Sequence, residues 1–180
     1  MINQKYCTLF LLAVAAILSS GCVATGAKST AMTIALPAVE KQHPETVAIS
    51  VSGGKATNPL WTSQVSNEDF QAALISSISA SKVFSAVVQD GQNDLLLKVE
   101  LLKLAQPLAG LNMTVTAETS WTLTNRLDGA VLWQKQISEA YTATMSDAVV
   151  GVTRLRLASE GAIQAVIKTG VEEMSRIRIK

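Results

Sequence analysis

Cysteine is nearly absent from this sequence: Cys7 and Cys22 are the only two, and both lie close to the N-terminus. Beyond Cys22 there is no thiol, so no disulfide and no Cys-based zinc site is available, and the domain must be held by its core. Histidine is nearly absent as well. The single His43 sits between Gln42 and Pro44 in a polar stretch and reads as solvated, which excludes Ser-His-Asp and Cys-His catalysis. No charge of one sign dominates. The formal net charge is +1, and Glu172-Glu173 is the nearest approach to a charge run. A nucleic-acid binder needs a basic excess to displace counterions, and none is present. There is no Gly-rich phosphate loop, no metal-ligand spacing and no Gly-x-Ser-x-Gly elbow, hence no cofactor is expected. Carboxylate pairs remain, but Glu118 and Glu172-Glu173 read as solvated charges rather than acid–base partners. The expectation is a protein without catalytic activity.

Long apolar runs are missing too. The greasiest stretch, Leu9 to Leu18, is half the roughly 20 residues that a membrane-spanning helix requires. It follows one cation, Lys5, and precedes the small residues Ser19-Ser20-Gly21, the charged–apolar–small order of a secretory signal. An ordinary signal cut after these same small residues is the alternative. The cysteine immediately after Gly21 separates the two. The stretch Ile17-Leu18-Ser19-Ser20-Gly21-Cys22 resembles the lipobox of bacterial lipoproteins, with Ser19 where leucine is preferred and Leu18 one place further back. The resemblance implies cleavage between Gly21 and Cys22 and acylation of Cys22. Three acyl chains bury on the order of 40 methylenes at about 0.8 kcal/mol each, which makes release from lipid negligible. Val23, rather than aspartate, follows the cysteine. By the sorting rule of Gram-negative lipoproteins this implies the outer membrane, with the domain facing the periplasm.

Three regions follow: a signal peptide over 1–21, a lipidated tether over 22–45 rich in Ala, Thr, Ser and Lys, and one domain over 46–180. Within the tether, Thr33-Ile34-Ala35-Leu36 has the makings of a short edge strand. Thr46 to Ser52 alternates, with Val47, Ile49 and Val51 on one face, and reads as a strand ended by Gly53-Gly54. Ser66 caps a helix whose stripe is Phe70, Ala73, Leu74, Ser77, Ile78 and Ser81, and Lys82 closes it. Phe84 to Gln89 is a short strand and Leu95 to Leu104 a third. Leu96, Leu102 and Leu104 make the polar face of this third strand greasier than solvent favours. The fourth strand, Met113 to Asn125, alternates cleanly. The next strand carries Val131, Trp133, Ile137 and Tyr141 at odd positions. Opposed residues share a face, so paired numbers must sum to an even value. A loop of Leu127-Asp128-Gly129 then pairs Leu123 with Trp133 and Val115 with Tyr141, with glycine in the left-handed position. Arg154 to about Ile177 is a closing helix with Leu155, Ala162, Val166, Gly170, Met174 and Ile177 along one face, broadened by Ile163, Ile167 and Val171. Glu160, Gln164, Lys168, Glu172 and Arg176 form its opposite stripe, and Gly161 and Gly170 are tolerable only if close packing on a sheet compensates. The order strand–helix–four strands–helix predicts an α+β two-layer sandwich, an antiparallel or mixed sheet of four to five strands with two helices on one face.

With Val51-Ser52-Gly53-Gly54, Gln106-Pro107-Leu108-Ala109-Gly110 and Asp147-Ala148-Val149-Val150-Gly151, the chain resembles the YajG-like periplasmic lipoproteins and, more loosely, the LptE-like group. That resemblance implies architecture and location more than activity; LptE-like proteins bind a partner barrel. The expected function is a non-catalytic binding or accessory module of the cell envelope, anchored in membrane lipid through Cys22 and meeting an envelope protein partner. A structural lipoprotein that self-associates and a carboxylate-based enzyme are the alternatives. Trp61, in the loop after Asn58-Pro59, is either a cap on the core or an anchor for a partner. Arg154 and Arg156, near the start of the last helix, are exposed rim residues or contacts for an anionic headgroup or a partner carboxylate.

Overall fold

The computed structural model describes residues 25–36, 43–56 and 64–179. In chain order these form α1 (Ser29–Met32), β1 (His43–Ser52), α2 (Asn67–Ser81), β2 (Phe84–Val87), β3 (Leu95–Ala105), β4 (Met113–Asn125), β5 (Val131–Ala143) and α3 (Gly151–Arg176). The five strands make one mixed sheet in the order β2-β1-β3-β4-β5. β3, β4 and β5 form an antiparallel meander, while β1 runs parallel to both β2 and β3. The expected α+β sandwich is therefore present, with a mixed sheet.

Alternation builds the core. On β4, Met113, Val115, Ala117, Trp121 and Leu123 are buried, and on β3 so are Leu95, Leu97, Val99 and Leu101. The even-numbered residues of β4, mostly threonines, lie on the opposite, partly exposed face. α2 buries Phe70, Ala73, Leu74, Ser77, Ile78 and Ser81, the whole stripe read from the sequence. Its start is fixed by Ser66, whose Oγ accepts from Asp69 N at 3.1 Å and donates to the Asp69 carboxylate at 2.8 Å. Lys82 ends the helix in a left-handed conformation.

Parallel pairing explains why β2 is short. Val47 of β1 aligns with Val87 at the end of β2 and with Leu95 at the start of β3. The two strands thus flank successive halves of β1, and residues 88–94 need only step across it. The crossing is pinned by Asp94, whose carboxylate accepts from Thr46 N at 2.8 Å and from Thr46 Oγ1 at 2.7 Å.

Two bulges resolve irregularities of pattern. β3 pairs Leu101 with Thr119 but Lys103 with Glu118, so Leu102 is an extra residue. The insertion reverses the alternation and brings Leu104 opposite Ala117, against the core. Leu102 itself stays exposed. On β5, Leu123 pairs with Trp133 and Val115 with Tyr141, as parity requires. Near the turn the pairing is Thr124 with Val131, which makes Leu132 a second extra residue. The hairpin loop accordingly includes Arg126 and closes between Asn125 and Ala130, with Gly129 at φ +71°.

Gly161 and Gly170, in the interior of α3, face rings. A Cβ on Gly170 would meet Trp121, and one on Gly161 would meet Tyr141. Close approach of α3 to the sheet is what these positions provide. α3 starts three residues earlier than expected and buries every predicted core position except Ile177, which packs at the edge of the core.

Two expectations are corrected. Residues 25–36 are not a free tether: Ala27 and Met32 are buried and belong to the core. The segment is a short helix followed by extended chain without strand pairing, so Thr33 to Leu36 is no edge strand. It is bound to both helices, through Ile34 N to Ser77 Oγ at 3.1 Å and Gln164 Nε2 to Ala31 O at 2.6 Å. His43 is not solvated either. It opens β1, is buried, packs its ring 5.4 Å from that of Phe84, and its Nε2 donates to Met174 O at 2.9 Å.

Candidate functional site

Residues 25–36 lay a set of polar contacts across both helices. The segment begins at the end of the sheet where α2 and α3 start. Ala27 N donates to Gln64 O at 3.0 Å, and Ser29 N to the Asp69 carboxylate at 3.2 Å. Lys28 N donates to Glu160 Oε1 at 3.1 Å, and the same oxygen accepts from Arg156 Nη1 at 2.9 Å. Glu160, expected on a solvent-facing stripe, is buried under this segment. Arg156 is thus committed to an internal ion pair one helical turn away, at i,i+4.

Between residues 31–36, α3 and the end of β5 runs a groove. Two adjoining depressions of about 200 and 650 Å³ share Tyr141, Gly161 and Gln164. The larger is walled by Ile34, Ala35, Leu36 and Ala165, with Lys168 at its edge. The smaller reaches Asp147 and Glu160. Gly161 shapes the floor, because a side chain there would occupy the place of the Tyr141 ring. The carboxylates lining it are already occupied. Asp147 accepts from Thr144 N at 2.7 Å and Thr144 Oγ1 at 2.8 Å, and the backbone bond foremost holds its carboxyl below the ordinary aspartate value. The groove offers an apolar trough and an exposed phenol, suited to a short apolar segment rather than to proton transfer.

Arg154 is corrected from a rim residue to a buried one. Its Nη1 donates to Ala148 O at 2.7 Å and Val149 O at 2.6 Å, and Nη2 to Gly110 O at 3.3 Å. It ties the β3–β4 loop to the β5–α3 loop, and its Nε finds no acceptor. A guanidinium so engaged is not available to a headgroup or a partner carboxylate. Trp61, Gly21 and Cys22 lie outside the described residues. Of the expected contacts, the described residues include only Arg154 and Arg156, and both are held by internal hydrogen bonds.

The other acidic candidates are separate. Glu118 lies 3.8 Å from Lys103, and Glu173 pairs with Lys135 at 2.7 Å and Arg176 at 3.4 Å. The Lys135 hydrogen bond chiefly lowers the Glu173 carboxyl from its ordinary value. Among the described residues no group of three His, Cys, Asp or Glu side chains could hold a metal ion, and no helix is long and apolar enough to cross a membrane.

Tyr141, Gln164 and Glu160 do not stand out as site residues in the sequence, because residues 25–36 read there as part of a tether. The available signal was the spacing of Met32, Ile34 and Leu36, three large apolar side chains in a stretch otherwise small and polar.

These features define an α+β domain with a mixed five-stranded sheet and helices on one side. No family model matches the chain, and no curated protein matches it. Solved structures do. Protein XCC0632 of Xanthomonas campestris, described under the family model DUF330, is similar with a TM-score of 0.53 at 13% identity, over 79% of this chain and 87% of that one. Protein CT253 of Chlamydia trachomatis gives 0.51 at 11% identity, over 73% and 96%. PelC of Paraburkholderia phytofirmans, solved as a dodecamer, gives 0.50 at 13% identity, over 81% and 95%. At such identities the likeness is one of fold.

Proposed function

We propose that the chain is a lipid-anchored accessory module of a Gram-negative outer membrane, facing the periplasm, which binds an envelope partner and performs no catalysis. The observation that carries this reading is Cys22, set directly after the small residues Ser19-Ser20-Gly21 and the apolar run Leu9–Leu18. Val23 supports the outer-membrane destination. The packing of residues 25–36 sharpens the picture. Four residues separate Cys22 from the hydrogen-bonded Ala27, a reach of at most about 17 Å over five steps, so the domain sits close to its anchor. The groove beside Tyr141 is the candidate place for a partner's apolar segment, and Trp61 remains a candidate contact. The resemblance of Val51-Ser52-Gly53-Gly54 and the other segments to YajG-like lipoproteins is in keeping with this reading. Fractionation of cells carrying the Cys22→Ser chain tests it. The unsubstituted chain is expected in the outer-membrane fraction and the substituted one is not; identical distributions would sink the proposal.

Self-association is a second reading, favoured by the outer edge of β5, thirteen residues long and bonded only to β4 among the described strands. Sedimentation of the detergent-solubilised protein as a monomer across a wide concentration range would remove it.

A further inference from the structure

The end of the sheet at which α2 and α3 start carries a cluster of apolar side chains on two loops. Leu108 is 100% exposed and Leu111 75% in the β3–β4 loop, and Val149 is 78% exposed in the β5–α3 loop. Val150 and Met145 beside it are also exposed. Ten large apolar residues are exposed among those described, and half of them stand on these two loops. Arg154 holds the loops side by side by donating at once to Gly110 O and to Ala148 O and Val149 O. Residues 106–112 contain no charged side chain, and Asp147, the one charge in 144–150, is turned back onto Thr144.

Ala27 and Lys28, near the start of the described residues, lie at the same end. Ala27 is bonded to Gln64, two residues before the cap of α2, and Lys28 to Glu160, less than three turns from the start of α3. From Glu160 to Gly151 the helix rises about 14 Å. The six residues from Cys22 to Lys28 can span about 20 Å. That length of chain is enough to bring an acyl group on Cys22 to the level of the loop tips.

We propose that Leu108, Leu111, Val149 and Val150 form a second membrane contact, dipping into the lipid leaflet that holds the acylated Cys22 and fixing the domain's orientation on it. The inference rests on the anchored reading above. A single lipid attachment leaves a domain free to swivel, whereas apolar tips seated about 5–10 Å into the interfacial region restrict it. Uncharged loops with protruding Leu and Val meet that environment with no buried charge to desolvate, and the remaining acid is already hydrogen-bonded.

The test uses the full chain, processed and purified from membranes, then reconstituted into vesicles of phosphatidylethanolamine and phosphatidylglycerol. Leu111→Cys and Val149→Cys are labelled with an environment-sensitive fluorophore. Leu127→Cys serves as the control, since Leu127 is exposed in the hairpin loop about 40 Å away, at the far end of β4. Leu108→Cys gives a further position should either loop variant misfold. The expected result is several-fold stronger quenching of the loop labels than of the Leu127 label by lipid-borne nitroxides, with the reverse order for aqueous iodide. Loop labels as open to iodide as Leu127 would overturn the inference. So would protection from both quenchers, which would mean that a second protein copy covers the patch. The mass of the N-terminal peptide is measured on the same samples. An unmodified Cys22 sinks the anchored reading, whereas acylated protein with water-exposed loops sinks this inference alone.

Discussion

Replacing Gly170 by alanine sets two physical effects against each other. In a helix interior alanine is favoured over glycine by about 1 kcal/mol, so propensity alone predicts stabilisation. Packing predicts the opposite. A Cβ at position 170 would lie 2.5, 2.7 and 2.8 Å from Cη2, Cζ2 and Cζ3 of Trp121, whereas carbon atoms rest at about 3.5–4.0 Å. The helix or the ring must move by roughly 1 Å. The ring has little room to yield. It is fully buried, its Nε1 donates to Thr119 Oγ1 at 2.8 Å, and that hydroxyl donates to Ile137 O at 3.2 Å. Overpacking costs about 1–3 kcal/mol, and straining the indole hydrogen bond about 1 more. Net of propensity, Gly170→Ala is expected to destabilise by about 1–3 kcal/mol. Urea unfolding followed by far-UV circular dichroism should show the midpoint falling by about 1 M, given a slope of roughly 1–3 kcal/mol per molar. In a Trp121→Leu background the same change should be neutral or stabilising, because the obstructing ring is gone. A raised midpoint for Gly170→Ala in the unsubstituted protein would refute the reasoning. Gly161→Ala should cost less, since its neighbour Tyr141 is half-exposed and can swing outward.

Three further perturbations test other parts of the account. Glu160→Ala leaves Arg156 and the Lys28 N–H without their shared acceptor; a loss of about 2 kcal/mol and faster hydrogen exchange over residues 25–36 are expected. Unchanged exchange there would mean that the segment is held by its apolar contacts alone. Gly129→Ala meets no neighbouring atom, so its cost is that of a left-handed backbone, about 1 kcal/mol, seen as a lowered thermal midpoint. The Asp94 carboxyl is held below its usual value of 3.8 by the Thr46 backbone N–H and then by the Thr46 hydroxyl. The stability linked to such a lowered group is present above the unfolded-state value and lost as pH falls through the folded one. Thr46→Ala removes one of the two donors, so the Asp94 midpoint in an NMR titration should rise towards 3.8; an unmoved midpoint would assign the effect to the backbone bond alone.

What could be read from the residues depended on how local the determining physics was. The α2 stripe, the Ser66 cap and the Leu123–Trp133 register follow from periodicity and parity, which act over a few residues. The bulge at Leu102 was foreshadowed by misplaced apolar residues on β3 but not located, and the one at Leu132 on β5 had no such signal, because a bulge is settled by the partner strand. The parallel pairing of β1 was not legible, since no short-range signal distinguishes a parallel from an antiparallel neighbour. The candidate site fared worst for the same reason. Glu160 and His43 look solvated in a helix stripe and a polar stretch, and both are buried by segments distant in sequence. Arg154 looks like a rim cation, yet two loops more than thirty residues apart fold their carbonyls around it.

The claim on which the functional account depends is acylation at Cys22. Mass spectrometry of the N-terminal peptide of the protein isolated from an envelope fraction tests it most directly. The account predicts a peptide beginning at Cys22 and carrying three acyl chains. A peptide beginning at Met1, or at an unmodified Cys22, would contradict it.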